Sequence, residues 1–217
     1  MSLLGNDLYI RQVNLLDFSR EEFAADRDIW VKDGRIHKIW PSRSTDQILS
    51  LINPDQLIDG SGRYLSPGLI DCHVHLISPF YSPDVEVKLE RWMLRQIKKN
   101  LAAFPPVGVT WVRDLLSPIT MIALLKRLTE TGCLTGPDVE YSGPIFSTPG
   151  GYPDYLDPLP GFSALLTGQM KVEIDPSTDL DKHFQFLRKM GATVIKIGFQ
   201  KELGLSGSPP LPLLSSS

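Results

Sequence analysis

The sequence predicts an α/β protein built in two parts, and three observations carry that reading. Before Ser66 the apolar residues alternate in short runs punctuated by turn residues, the pattern of strands joined by tight connections. From Gly68 onward, strand-like runs alternate with stretches of helical periodicity, which argues for parallel strands joined by crossover helices. The composition, 42% hydrophobic and 22% charged with a net charge of −3, supplies apolar material for a core and no basic excess.

In the first part, Asp7 to Val13 alternates as a strand does. Ile29-Trp30-Val31-Lys32 and Arg35-Ile36-His37-Lys38-Ile39-Trp40 flank Asp33-Gly34, the dipeptide favoured by a type I′ turn because both central residues need positive φ. These segments are expected to form a hairpin, with His37 as an exposed strand residue without chemistry. Leu57 to Leu65 then reads as a short strand, a turn at Gly60-Ser61-Gly62 and another strand.

The second part opens with an apolar strand through His75. Ser82-Pro83-Asp84 suits the start of a helix, with Ser82 as cap, Pro83 in the first helical position, and Asp84 and Glu86 at the positive end of the dipole. Val85, Leu89, Met93, Ile97 and Leu101 fall on one face of it, with Trp92 beside them, as a core stripe. Val107 to Leu115 is the second strand, Pro118 to about Thr131 a helix, and Pro137 to Gly143 the third strand. Ile145 to Pro176, rich in Gly, Pro and aromatics, is expected to be a long loop, and such loops are usually binding loops or lids. Thr178 to Met190 is a helix with Asp179 and Asp181 early, Arg188 and Lys189 late, and Gly191 placed to stop it. His183, on the flank of Leu180, Phe184 and Leu187, reads as a packing residue. Cys72 and Cys133 share no short motif and read as reduced thiols, Cys72 on the packed face of its strand.

Chemistry concentrates in Asp71-Cys72-His73-Val74-His75. On a strand, residues two apart project from one face, so the two imidazoles form a ready pair of ligands for a divalent transition metal, zinc above all. The alternative is a strand carrying two satisfied histidines. Lys196 is the second candidate, the only charge between Ala192 and Phe199. A lysine within an apolar strand must be paired, neutralised or modified. A desolvated amine can take up carbon dioxide, and the carbamate would offer two oxygens to a pair of metal ions. Alternatively the ammonium reaches past the strand end to water.

Ser66-Pro67-Gly68-Leu69-Ile70-Asp71-Cys72-His73-Val74-His75-Leu76 resembles the first barrel strand of the metal-dependent amidohydrolase superfamily. Val107-Gly108-Val109-Thr110-Trp111-Val112-Arg113-Asp114-Leu115 is similar to the second strand of the branch containing imidazolonepropionase-like and Xaa-Pro dipeptidase-like enzymes. Gly191-Ala192-Thr193-Val194-Ile195-Lys196-Ile197 resembles that branch's fourth strand, whose lysine is typically carboxylated and bridges two metals. The resemblance reaches to about Gln200. It implies the amino-terminal part of a (β/α)8 TIM-like barrel, about four strands, preceded by a small, incomplete β-sandwich. Residues 1–66 would be the sandwich part and 67–217 the first half of the barrel, with a mobile tail over 201–217 where three prolines interrupt any helix. A whole barrel takes about 250 residues, more than 67–217 provides. The family's later ligands, two histidines on the fifth and sixth strands and an aspartate on the eighth, have no counterpart here, because His37 and His183 both precede Lys196. The chain therefore reads as an amino-terminal fragment, inactive alone, whose small sheet keeps an open edge.

The resemblance further implies metal-activated hydrolysis with two zinc ions held by His73, His75 and a carboxylated Lys196. Asp114 is the one nearby carboxylate matching the family pattern, a candidate acid or base or else a supporting residue. Tyr152 stands where many relatives carry the histidine of a Gly-Gly-His segment, and is a candidate substrate contact. The expected substrate is a small amide, cyclic amide or Xaa-Pro-type dipeptide; a metal-dependent deaminase or a non-catalytic scaffold are the other readings. No nucleic-acid partner is expected without a basic excess, and no membrane partner, since no apolar run approaches the roughly 18 residues of a span. The start lacks the pattern of a secretory signal, so a cytoplasmic protein is expected, its parent open to homo-oligomer formation.

Overall fold

A computed structural model describes residues 7–42, 53–77, 89–153 and 168–199. Ser82-Pro83-Asp84, the side chains of Val85, Leu89, Trp92 and Met93, and the tail 201–217 lie outside the described residues. The chain divides into two compact units, Met1–Pro67 and Gly68–Ser217. No helix among the described residues is long and apolar enough to cross a membrane.

Among the described residues the first unit forms one five-stranded sheet. β1 (Leu8–Asp17) runs antiparallel to β2 (Glu22–Lys32), and β2 to β3 (Arg35–Pro41). Asp33 and Gly34 take φ of 49° and 72°, the positive pair that the type I′ turn demands. β4 (Leu57–Asp59) and β5 (Tyr64–Leu65) both lie parallel to β1. β1 extends well beyond the alternation of Asp7 to Val13, and the reason is local. The register shifts between Ile10 and Val13 and again before Leu15. At this irregularity Gln12 has a φ of 51°, and its amide donates to the Asp28 carboxylate at 2.9 Å. A bulge moves the side-chain phase by one, which conceals the second half of the strand from a period-two count. Tyr9, Val13 and Ile29 are buried, and Tyr9 stacks on its cross-strand partner Trp30 with ring centres 5.6 Å apart. His37 is exposed and sets its ring edge-on against Trp30.

The second unit consists of parallel strands and helices. β6 (Leu69–Val74), β7 (Val109–Asp114) and β8 (Asp138–Tyr141) form one sheet in that order. α1 (Leu89–Ala103) links the first two and α2 (Ile119–Glu130) the second pair. Ile97 and Leu101 of α1 turn inward with Ile119, Ile122 and Leu125 of α2, against Val112 and Val139 of the sheet. β6 begins flush against β7 because Gly68 has no side chain: a Cβ there would lie 2.0 Å from Thr110 Oγ1.

Three expectations need correction. The segment 145–176 is not all loop, because β9 (Ile145–Ser147) and β10 (Lys171–Glu173) lie at its two ends and pair in parallel; its middle, 154–167, lies outside the described residues. The fourth expected strand shrinks to β11 (Lys196–Ile197), which pairs with β9, while Thr193 bonds to the Tyr141 carbonyl at 3.2 Å. Cys72 is exposed, as is Cys133. β6 is the edge strand of its sheet among the described residues, and Leu69 and Ile70 are 59% and 61% exposed with it. α3 (Leu180–Lys189) lies within the expected Thr178–Met190: Asp179, placed early in the helix by the sequence, is instead its cap and accepts from the Lys182 amide at 3.0 Å, and Gly191 ends the helix as expected, at a φ of 93°.

Ile122 is fully buried between α2 and the sheet. Ile122→Ala should lower unfolding stability by about 2–5 kcal/mol in urea titrations. Leu124→Ala, at a side chain 55% exposed, should stay within about 0.5 kcal/mol.

Candidate metal centre

Parallel pairing brings the carboxyl ends of β6 and β7 together. Val74 stands opposite Asp114, and the Leu115 amide donates to the Val74 carbonyl at 3.0 Å. His73 lies in β6 and His75 just beyond it. Being two apart on extended chain, they share a face: their ring centres are 5.3 Å apart, with planes at 77°. The His73 amide donates to Asp71 Oδ1 at 3.1 Å.

The pKa of His75 is lowered, first by desolvation, then by the proximity of His73 and by the Lys196 charge; a backbone hydrogen bond with Leu116 acts the other way. A bond that raises an imidazole's pKa is one its ring N–H donates, so the Leu116 carbonyl accepts. The balance favours the neutral ring, the form that binds metals. Lys196 is half-buried on β11, opposite Ile145. It therefore lies within electrostatic reach of His75, although the two are distant in sequence. Among the described residues no third His, Cys, Asp or Glu joins the histidines in a metal-sized cluster.

Asp114 is fully buried. Its Oδ2 accepts from the Leu76 amide at 2.6 Å and the Ser117 hydroxyl at 2.9 Å, and its Oδ1 accepts from the Leu116 amide at 3.1 Å. Burial pushes its carboxyl up to about 6 in spite of these donors. Tyr152 is half-buried and packs on Leu116, Ile145 and Met170. The Leu116 backbone is thus shared by Asp114 and His75, Tyr152 packs against the cluster that contains Leu116, and Lys196 pairs with Ile145 of the same cluster.

Ser117 escaped the reading of the sequence. It is fully buried and completes the set of donors on Asp114. Its signal was a Ser three residues after a strand-ending Asp and just before Pro118, where short polar side chains close turns. Glu140 was also missed: it accepts from Arg113 Nε at 2.8 Å and from the Thr193 hydroxyl, tying β7, β8 and the approach to β11 together.

No family model matches the chain. An imidazolonepropionase from Stenotrophomonas maltophilia is 40% identical over 67 residues, covering 30% of this chain and 16% of that protein. An adenine deaminase from Chelativorans sp. is 32% identical over 72 residues, 33% of this chain and 11% of its own length. A solved prolidase complexed with N-methylphosphonate-L-proline superposes with a TM-score of 0.70 at 24% identity, covering 95% of this chain and 49% of that one. The chain therefore spans about half the length of that solved structure, and the matched segments are under a fifth of the two curated relatives.

The buried carboxyl makes a testable demand. Unfolded, Asp114 releases its proton near 3.8; folded, near about 6. Between those values the folded state holds the extra proton, so stability falls as pH rises, by up to about 1.4 kcal/mol per pH unit. The contribution is fully present below the unfolded value and lost above the folded one. Urea titrations from pH 4 to 7 should show this slope in the wild type and a flatter profile in Asp114→Asn. Identical slopes would remove Asp114 as its source.

Proposed function

We propose that this chain, which is related to the amidohydrolase superfamily over part of its length, supplies the first half of a metal-dependent hydrolase site acting on carbon–nitrogen bonds. The observation that carries the reading is the imidazole pair at the carboxyl end of β6, ring centres 5.3 Å apart, with the His75 ring biased toward its neutral form, first by desolvation. That donor chemistry fits a divalent transition metal, zinc in particular. When bound, such a metal lowers the pKa of a water and polarises a carbonyl, the two requirements for hydrolysing an amide near neutral pH.

The protein's own residues divide the remaining work. His73 and His75 would hold the metal. Lys196, as its carbamate, would carry a negative charge on the His75 side and serve a second zinc ion. As a plain ammonium it is no ligand at all. Two histidines leave a zinc shell incomplete, so the reading requires further donors and a general acid or base from sequence beyond these 217 residues. On that reading the 217 residues alone are inactive. Tyr152, on the Leu116 cluster, is the candidate substrate contact. The substrate class is a small amide, cyclic amide or Xaa-Pro-type dipeptide, in a barrel of which β6 to β11 are the first half.

A second reading is a metal-dependent deaminase, favoured by the likeness to the adenine deaminase. It uses the same metal and water on a carbon bearing an amino group. Release of ammonia separates the two outcomes.

In the full-length protein, His73→Ala and His75→Ala should each weaken zinc binding by more than the about 100-fold that loss of a supporting partner costs. Unchanged metal content would remove the pair as ligands. Lys196→Ala should abolish turnover, and added acetate or propionate should restore part of it. No restoration would leave Lys196 a packing role. Tyr152→Ala should alter kcat/KM with metal content intact, and equal kinetics across a dipeptide panel would dismiss it.

A further inference from the structure

Asp114 makes three hydrogen bonds, and two of them end on backbone that borders His75. Leu76 is the next residue in the chain. Leu116 is the residue whose backbone bonds to the His75 ring. One carboxylate therefore holds both pieces of chain that decide where this imidazole points, and the third bond, from Ser117, fixes the carboxylate itself. Leu76 and Leu116 are buried at 3% and 7% exposure, so water offers the clamp no ready substitute. Asp114 has no solvent-facing surface, which leaves it no path to a substrate proton.

We propose that Asp114 is a positioning residue that sets the orientation and tautomer of His75 through the Leu76 and Leu116 amides. The inference deepens the metal-centre reading and rests on it only for its consequence, tighter metal binding. An aspartate is required because both carboxylate oxygens must accept. Asparagine would accept on one side and turn its NH2 toward an N–H on the other.

The test uses the full-length protein. With metal removed by EDTA, ring nitrogen shifts at pH 8 should show His75 in one tautomer in the wild type and in a mixture in Asp114→Asn. Cobalt(II) binding, followed by its visible absorption, should weaken about 10- to 100-fold in Asp114→Asn. The loss should vanish when the substitution is made in a His75→Ala background and persist in a His73→Ala background. An equal loss in both backgrounds, or unchanged His75 shifts in Asp114→Asn, would overturn the assignment and leave a general packing role. Should Asp114→Asn not fold, Ser117→Ala removes one donor and should move the His75 shifts in the same direction by less; no movement there would equally overturn it. If the wild type binds no cobalt while Asp114→Asn still releases the tautomer, the positioning role stands and the metal reading fails.

Discussion

The carboxylate of Asp114 is the point on which the geometry of the second unit turns. It sits at the end of β7 and accepts from the segment after β6 and from the two residues that lead into α2. Without it, three buried donors would lose their partner, each at a cost of about 1–3 kcal/mol. The arrangement also explains why burial and hydrogen bonding pull its pKa in opposite directions. Desolvation penalises the charge, whereas all three neighbours are donors and favour it. A carboxyl held under that tension is better suited to fixing chain than to exchanging protons with a ligand.

Legibility from sequence tracked how local each cause was. The Asp33-Gly34 turn and the stop at Gly191 are decided within a few residues, and both were readable. The His-x-His pair was readable for the same reason, since period-two geometry places both rings without reference to the rest of the fold. What escaped depends on distant partners. β9 and β10 are three residues each and exist because they pair with one another across an intervening segment. The second half of β1 was hidden by a bulge that Asp28 stabilises from the neighbouring strand. The anchoring of Asp114 involves an amide 38 residues away, which no window on the sequence contains.

Lys196 and the histidine pair are linked through charge. As an ammonium, Lys196 disfavours any positive charge at His75, and the same repulsion opposes a metal cation. A carbamate at that position would reverse the sign of the interaction. Under the proposed reading, carbon dioxide uptake and metal binding would therefore promote each other, each making the other less costly.

The hairpin closed by Asp33 and Gly34 has a kinetic counterpart. β2 and β3 meet across a two-residue turn, so their contacts require almost no loop closure and can form in about 1–10 μs. β6 and β7, by contrast, can pair in parallel only after all the chain between Val74 and Val109, α1 included, has been drawn back on itself. The antiparallel ribbon is thus closed by local contacts alone. The strand ends that carry His73 and His75 have no register of their own until the second strand of the pair is there to receive them.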